Sequence, residues 1–182
     1  MSVMHTQRPD AATAAHEFPK LAALLAYLGG LQGRADLAVL AKMLSELNLK
    51  VDDVKAACQF GSCSYKRNTI AASPHYELLV LCWRSGHCTP IHDHQGSSCA
   101  FRVVTGTATE IRFRHTPSGL ACPVQTTRMQ AGYVCSAEDD DIHQVANMEP
   151  AGQDVVTLHI YSPPPTRWRT FQGPVSDGPD RG

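Results

Sequence analysis

His92-Asp93-His94 is the stretch of this chain best suited to hold an ion. Side chains at i and i+2 of a β-strand point to the same face, so both imidazoles can reach one centre. Pro90 stiffens the approach, and Gly86 and Gly106 mark turns at either edge. Further along, His143 stands four residues before Asn147 and offers a third imidazole. Three neutral imidazoles suit Fe, Zn, Cu or Ni. Zinc on three histidines with a bound water would do hydrolytic chemistry. Non-haem iron more commonly takes two histidines and a carboxylate. Asp93 points away from its neighbours' face, which makes it an orienting residue rather than a ligand.

Strands must carry these histidines. From Tyr65 onward the chain alternates apolar and polar residues between turn breakers. Strands are expected over 65–71, 76–84, 89–94, 98–105, 107–114, 124–129, 132–136, 143–147 and 155–161. Short strands at such close spacing build a sandwich or barrel. Ahead of them, Leu21, Leu24, Leu25 and Leu28 form a helical stripe within 18–31, closed by Gly29-Gly30. Leu37, Leu40, Met43, Leu44 and Leu47 repeat it within 35–47. Asp52 or Asp53 caps a short helix running to Cys58. The leucines are read as packing helices onto a sheet. Residues 1–15 are expected to be a flexible arm and 173–182 a flexible tail. Between them, 16–172 read as one domain, with helices over about 18–58 and a barrel over about 65–172. Ser162-Pro163-Pro164-Pro165 ends the last long strand, and Trp168 and Phe171 pack back on the barrel.

The 182 residues suit one domain with a sizeable core. A formal net charge of −1 gives no reason to expect nucleic acid or an anionic membrane as partner. The densest apolar run, 78–83, is far too short to span a bilayer. Residues 1–16 lack the basic and apolar regions of a signal peptide. Seven cysteines, an odd number without a C-x-x-C pair, favour a reducing cytoplasm. Most of them read as small buried hydrophobes, with Cys99 set apart. No sustained exposed stripe is evident, so a monomer is expected.

The spacings resemble the two motifs of the cupin superfamily. Gly86, five residues, His92-x-His94, four residues, Cys99, six residues and Gly106 fit the first motif throughout. One residue departs from it, because Cys99 stands where cupins usually place a metal-binding Glu. Gly132, Glu138, Asp140, His143 and Asn147 hold the places of the second, with Glu138 and Asp140 replacing a Pro and a Gly. Losing the carboxylate leaves the site more positive by one charge. An anionic thiolate substrate could restore that charge, where a Glu would have competed with it.

Over about 65–164 the chain resembles one cupin family closely, the cysteine dioxygenases. The matching residues are Tyr65-Lys66-Arg67-Asn68, Leu81-Cys82-Trp83, Gly86 with His92-Asp93-His94, Cys99, His143, and Leu158-His159-Ile160-Tyr161-Ser162-Pro163-Pro164. The resemblance implies a mainly β cupin fold, a double-stranded β-helix or jelly roll with N-terminal helices packed on it. It implies that His92, His94 and His143 bind Fe(II). It further implies that L-cysteine binds iron through thiolate and amine, and that O2 oxidises it to cysteine sulfinate, a step of cysteine catabolism. The thiol itself supplies the four electrons, so no reducing cosubstrate is needed. Arg67 becomes the clamp for the substrate carboxylate, since its planar fork matches a carboxylate. A structural salt bridge is the bland alternative. Tyr65 lines the same pocket.

Thr157, His159 and Tyr161 share one strand face and make a hydrogen-bonded series. The family has Ser at the first place. Tyr161 is implied to act on the substrate or its oxygen partner, and His159 to orient Tyr161. Cys99 matches the cysteine that forms a thioether with the strand tyrosine in animal members, which implies a Cys99–Tyr161 crosslink. The Ser162-Pro163 bond is implied to be cis.

Three rivals remain open. The first is a dioxygenase of 3-mercaptopropionate or another small thiol, whose relatives usually carry Gln in place of Arg67. The second is another metal-cupin enzyme, such as a sugar-phosphate isomerase, although the chain shows no phosphate-binding basic cluster. The third is a non-catalytic metal-binding sensor, which would bind a ligand without consuming O2.

Overall fold

A computed structural model describes residues 9–94, 96–137, 141–166 and 168–173. Glu138 and Asp140 of the second motif, residues 1–8 of the expected arm and 174–182 of the expected tail lie outside the described residues.

Among the described residues, three α-helices, α1 (Ala11–Glu17), α2 (Ala22–Gly29) and α3 (Leu37–Glu46), precede ten strands. The strands are β1 (Lys66–Ser73), β2 (Tyr76–Trp83), β3 (Ile91–His92), β4 (Ser98–Thr105), β5 (Thr107–His115), β6 (Ala121–Gln130), β7 (Val134–Ala137), β8 (His143–Ala146), β9 (Val155–Ser162) and β10 (Thr170–Phe171). One antiparallel sheet runs β1-β2-β9-β4-β7 and the other β10-β3-β8-β5-β6. This is the expected jelly-roll sandwich with helices on one side.

Period-two alternation sorts β2 and β9 between two cores. Leu78, Val80, Cys82, Val156, Leu158 and Ile160 join the helix leucines in one buried cluster. Leu79, Leu81, Trp83, Val155 and Tyr161 face the other way, into the interior between the sheets. Both strands are therefore buried on both faces, and each fully buried Leu or Val contributes about 1.5–3 kcal/mol. Gly106 closes the hairpin from β4 to β5 at φ +79°, where a Cβ would sit 2.6 Å from the Asp154 carbonyl. Both the conformation and the close approach require glycine there.

Three expectations need correction and one is refined. The arm is not frayed through Ala15, because Asp10 caps α1 by accepting from the Thr13 N–H at 2.8 Å. Ala14 is buried, so burying an apolar face offsets the cost of ordering these residues. The expected strand 89–94 shrinks to two residues, because Pro90 lacks an N–H for the ladder. Asp53 caps the short helix from its third position rather than from the position ahead of it. It accepts from the Lys50 N–H at 2.8 Å, closing a 3₁₀ turn over Val51–Ala57. Only Cys82, Cys99 and Cys135 of the seven cysteines are buried, while Cys63 and Cys88 are exposed. Among the described residues, no helix is long and apolar enough to cross a membrane.

Candidate metal centre

His92 lies on β3 and His143 on β8, directly opposite each other in the ladder. His94 lies beyond the end of β3, so strand alternation does not orient it. A turn does, in which the Ser97 N–H donates to the His94 carbonyl at 2.8 Å. The three rings nevertheless converge, with centroids 5.1, 4.9 and 4.7 Å apart. One ring nitrogen from each lies within 4.8 Å of the others.

Two tautomers follow from hydrogen bonds. His92 Nδ1 donates to the Pro90 carbonyl at 2.9 Å, and His143 Nδ1 donates to Glu110 Oε1 at 2.8 Å. Both rings therefore keep Nε2 for the shared centre. His94 Nδ1 is buried and has no hydrogen-bond partner among the described residues. Burial, helped by the other histidines, pulls His92 down to about 4 and His94 to about 2. Both are neutral at physiological pH, the form that ligates a metal.

Glu110 was not singled out from the sequence. It is buried on β5, where β5 pairs with β8 so that Arg112 lies opposite His143. Burial alone would raise its pKa. The hydrogen bond from His143, the charge interaction with that ring and nearby Arg112 outweigh burial and lower it. Arg112 Nε donates to Oε2 at 3.2 Å, and Cys135 Sγ lies 3.5 Å from Oε1. An ionised carboxylate behind a histidine fixes the ring and raises its basicity. Glu110→Gln is therefore expected to weaken metal binding by roughly 10- to 100-fold, read from metal retained against a chelator. Wild-type retention would refute the role.

A cavity of about 220 Å³ holds every sequence-predicted site residue: Tyr65, Arg67, His92, His94, Cys99, His143, His159 and Tyr161. Its volume is below the roughly 300–1,000 Å³ of sites for drug-sized ligands, so it suits a molecule of few heavy atoms. Tyr161 OH sits 3.5 Å from His159 Nδ1, at the limit of a hydrogen bond. His159 Nε2 is 2.8 Å from Thr157 Oγ1, to which Trp83 Nε1–H donates at 2.9 Å. The series is thus tight at its threonine end and loose at its tyrosine end. Trp83 extends it and also stacks on Tyr65, at 4.4 Å between centroids. Burial, with the nearby Cys99, raises the Tyr161 pKa, so its phenol stays protonated. Burial also keeps His159 neutral, with Arg67 reinforcing the effect.

Cys99 on β4 lies directly opposite Tyr161 on β9. Burial raises the Cys99 thiol well above its ordinary range. Arg67 on β1 has both a place in the cavity and a structural partner. It lines the cavity, with its guanidinium 5.2 Å from the Tyr161 ring centroid, and its Nη2 pairs with buried Glu77 at 3.1 Å. The expected role of Asp93 changes. It is wholly buried, but its Oδ2 accepts from Arg169 Nε at 2.6 Å rather than from a histidine. The Ser162-Pro163 bond is cis.

Three histidines converging inside a double-stranded β-helix define a metal-binding cupin. The family model described as "Cysteine dioxygenase type I" matches residues 8–173, and the chain belongs to that family. Family membership and the converging histidines together imply a bound metal. The chain is 32% identical to cysteine dioxygenase type 1 of Danio rerio over 121 residues, which is 62% of this chain and 58% of that protein. It is 33% identical to the Homo sapiens protein over 113 residues, covering 58% of this chain and 54% of that one. The chain thus spans somewhat over half the length of the curated relatives it matches. Among solved structures, a Klebsiella pneumoniae protein with a double-stranded β-helix domain has a TM-score of 0.52 at 16% identity, covering 65% of this chain and 88% of that one. The protein TT1209 from Thermus thermophilus has a TM-score of 0.51 at 14% identity, covering 63% and 98%. At these identities the likeness concerns the fold alone.

Proposed function

We propose that this chain is an Fe(II)-dependent thiol dioxygenase that oxidises L-cysteine with O2 to cysteine sulfinate, acting as a cytoplasmic monomer. The observation that carries this reading is one small cavity lined by three converging imidazoles, the guanidinium of Arg67 and the protonated phenol of Tyr161. The donor set fits iron. Two of its rings are held neutral and two have fixed tautomers, with no carboxylate at position 99 to exclude a thiolate.

Ferrous iron, when bound by His92, His94 and His143, supplies a place where a thiolate and dioxygen can exchange electrons. The chain's own residues bind and orient the substrate. Arg67 pairs with the substrate carboxylate, and Glu77 together with the Tyr161 and Trp168 rings holds the guanidinium in position. Tyr65 walls the pocket. Tyr161 offers its hydroxyl hydrogen to the substrate or to dioxygen, and Thr157 and His159 hold it from behind. Sulfur gives up four electrons, both oxygen atoms end on it, and no external reductant is consumed.

Oxygen uptake by anaerobically Fe(II)-loaded protein tests the reading. L-cysteine is expected to drive uptake and give a product two oxygens heavier. Uptake mainly with 3-mercaptopropionate would overturn the substrate. No uptake with either would overturn the enzyme and favour a sensor.

Cys99 and Tyr161 form a thioether in this reading. A C–S bond replaces the S–H and one ring C–H, and two hydrogens with two electrons pass to dioxygen. Protein that has turned over is expected to be lighter by two hydrogens, a loss abolished in Cys99→Ser. An unchanged mass in active wild type would rule the crosslink out. The link would lock the Tyr161 rotamer, compensating for its loose contact with His159.

A further inference from the structure

The segment 168–172 is fastened over the metal cavity by several independent contacts. Thr170 and Phe171 pair with His92 and Ile91, so β10 adds to the strand that carries a candidate ligand. The Asp93 N–H donates to the Arg169 carbonyl at 3.2 Å. The Arg169 guanidinium closes on Asp93 Oδ2, with Nε at 2.6 Å and Nη2 at 2.5 Å. On the far side, the Ala121 N–H donates to the Gln172 carbonyl at 2.9 Å. Asp93 is wholly buried and Arg169 half exposed, so the pair ties surface chain to the interior. A buried carboxylate needs such a partner at Oδ2, because its other oxygen, Oδ1, has none among the described residues.

This fastening fixes Trp168. Its ring lies 5.0 Å from His92, 5.7 Å from His94 and 5.3 Å from Tyr161, all edge-on. Arg67 sits 5.7 Å from the same ring. Trp168 is 36% exposed. The indole is therefore a wall with the candidate metal ligands on one side and solvent on the other. Its size is rigidly defined, because an indole has only two side-chain torsions to adjust.

We propose that Trp168 is the specificity-determining roof of this cavity, held down by the Asp93–Arg169 pair, and that it restricts the site to thiols without bulk beside the sulfur. The proposal rests on the thiol dioxygenase reading. With Arg67 holding a carboxylate and the histidines marking the sulfur end, substituents on the carbon chain between them would press against the indole. A hydrophobic wall rejects an extra methyl or methylene by roughly 10- to 200-fold. Removing the wall should remove that discrimination while leaving the histidines in place.

The test compares L-cysteine with β,β-dimethyl-L-cysteine, which keeps the thiol, amine and carboxylate and adds only bulk. Both are titrated without oxygen into the full chain loaded with Co(II), and thiolate-to-cobalt absorption reports binding without turnover. Wild type is expected to prefer cysteine by at least roughly 10-fold, and Trp168→Ala to narrow that ratio about 10-fold with cobalt stoichiometry unchanged. Trp168→Phe, which keeps a smaller ring, is expected to fall between. Arg169→Gln keeps the indole but loosens its fastening, and it should narrow the ratio part of the way. It also serves as the deciding variant if Trp168→Ala does not fold. A wild-type ratio in Trp168→Ala, or in Arg169→Gln when that variant decides, overturns the roof and leaves the thiol reading standing. If neither thiol perturbs the cobalt spectrum of wild type, the thiol reading falls and the roof with it.

Discussion

The His143→Ala variant is expected to retain almost no iron after loading and desalting, and to show no thiol-dependent oxygen uptake. Loss of a partner behind a metal-binding histidine costs roughly 10- to 100-fold in affinity, and loss of the imidazole itself should exceed the upper figure. Two histidines remain, one of them in a turn rather than on a strand. The variant also takes from buried Glu110 its hydrogen bond from His143. An unsatisfied buried acceptor costs roughly 1–3 kcal/mol. Arg112 and Cys135 still contact this carboxylate, so the lower half of that range applies. Metal analysis and thermal unfolding of the metal-free protein separate the two effects. Stoichiometric iron in His143→Ala would show that the converging rings are not the metal site. His115→Ala, on the far end of β5 against Phe171, should bind iron normally.

Arg67→Ala is expected to raise KM for L-cysteine about 30- to 150-fold, with a smaller change in kcat. Truncating one partner of a buried, hydrogen-bonded charge pair costs roughly 2–5 kcal/mol. Arg67 keeps a third of its side chain exposed, so solvent screening places it near the low end, at about 2–3 kcal/mol. Each 1.36 kcal/mol is tenfold, which gives the stated range. Arg67→Lys should recover only part of the loss, because an ammonium lacks the planar fork. Cysteamine, which has no carboxylate, should react with Arg67→Ala and wild type alike. An unchanged KM for cysteine would confine Arg67 to its pair with Glu77. The same loss with cysteamine would point to a collapsed pocket instead, since Arg67 is also in contact with the Tyr161 and Trp168 rings.

Several parts of this site were legible along the chain because they are local. His92 and His94 are separated by one residue, and turn glycines frame them at positions 86 and 106. Gly106 is required by its positive φ and by the Asp154 carbonyl at its back. Thr157, His159 and Tyr161 alternate along β9, and strand pleating alone puts all three on one face. The leucines of α2 and α3 recur at helical spacing, so their burial could be read from period alone.

Other parts had no local signal. Glu110 meets His143 across 33 positions, and only the β5–β8 pairing brings them together. An acid on the face it shares with Ala108, which turns into the core, was the one available hint. Glu77 reaches Arg67 across the β1–β2 hairpin. Arg169 meets Asp93 from 76 residues away and draws the carboxylate off the role that alternation suggested for it. His94 keeps its place in the histidine set although β3 ends before it.

By itself, then, the sequence determined the residue types, the strand faces and the turn positions, because side-chain periodicity and backbone sterics act over a few residues. Tertiary structure alone decided which carboxylate stands behind His143, which charge neutralises Asp93 and what covers the cavity. Each of those is a contact between segments far apart along the chain, and burial makes such a contact obligatory without marking it in the local sequence.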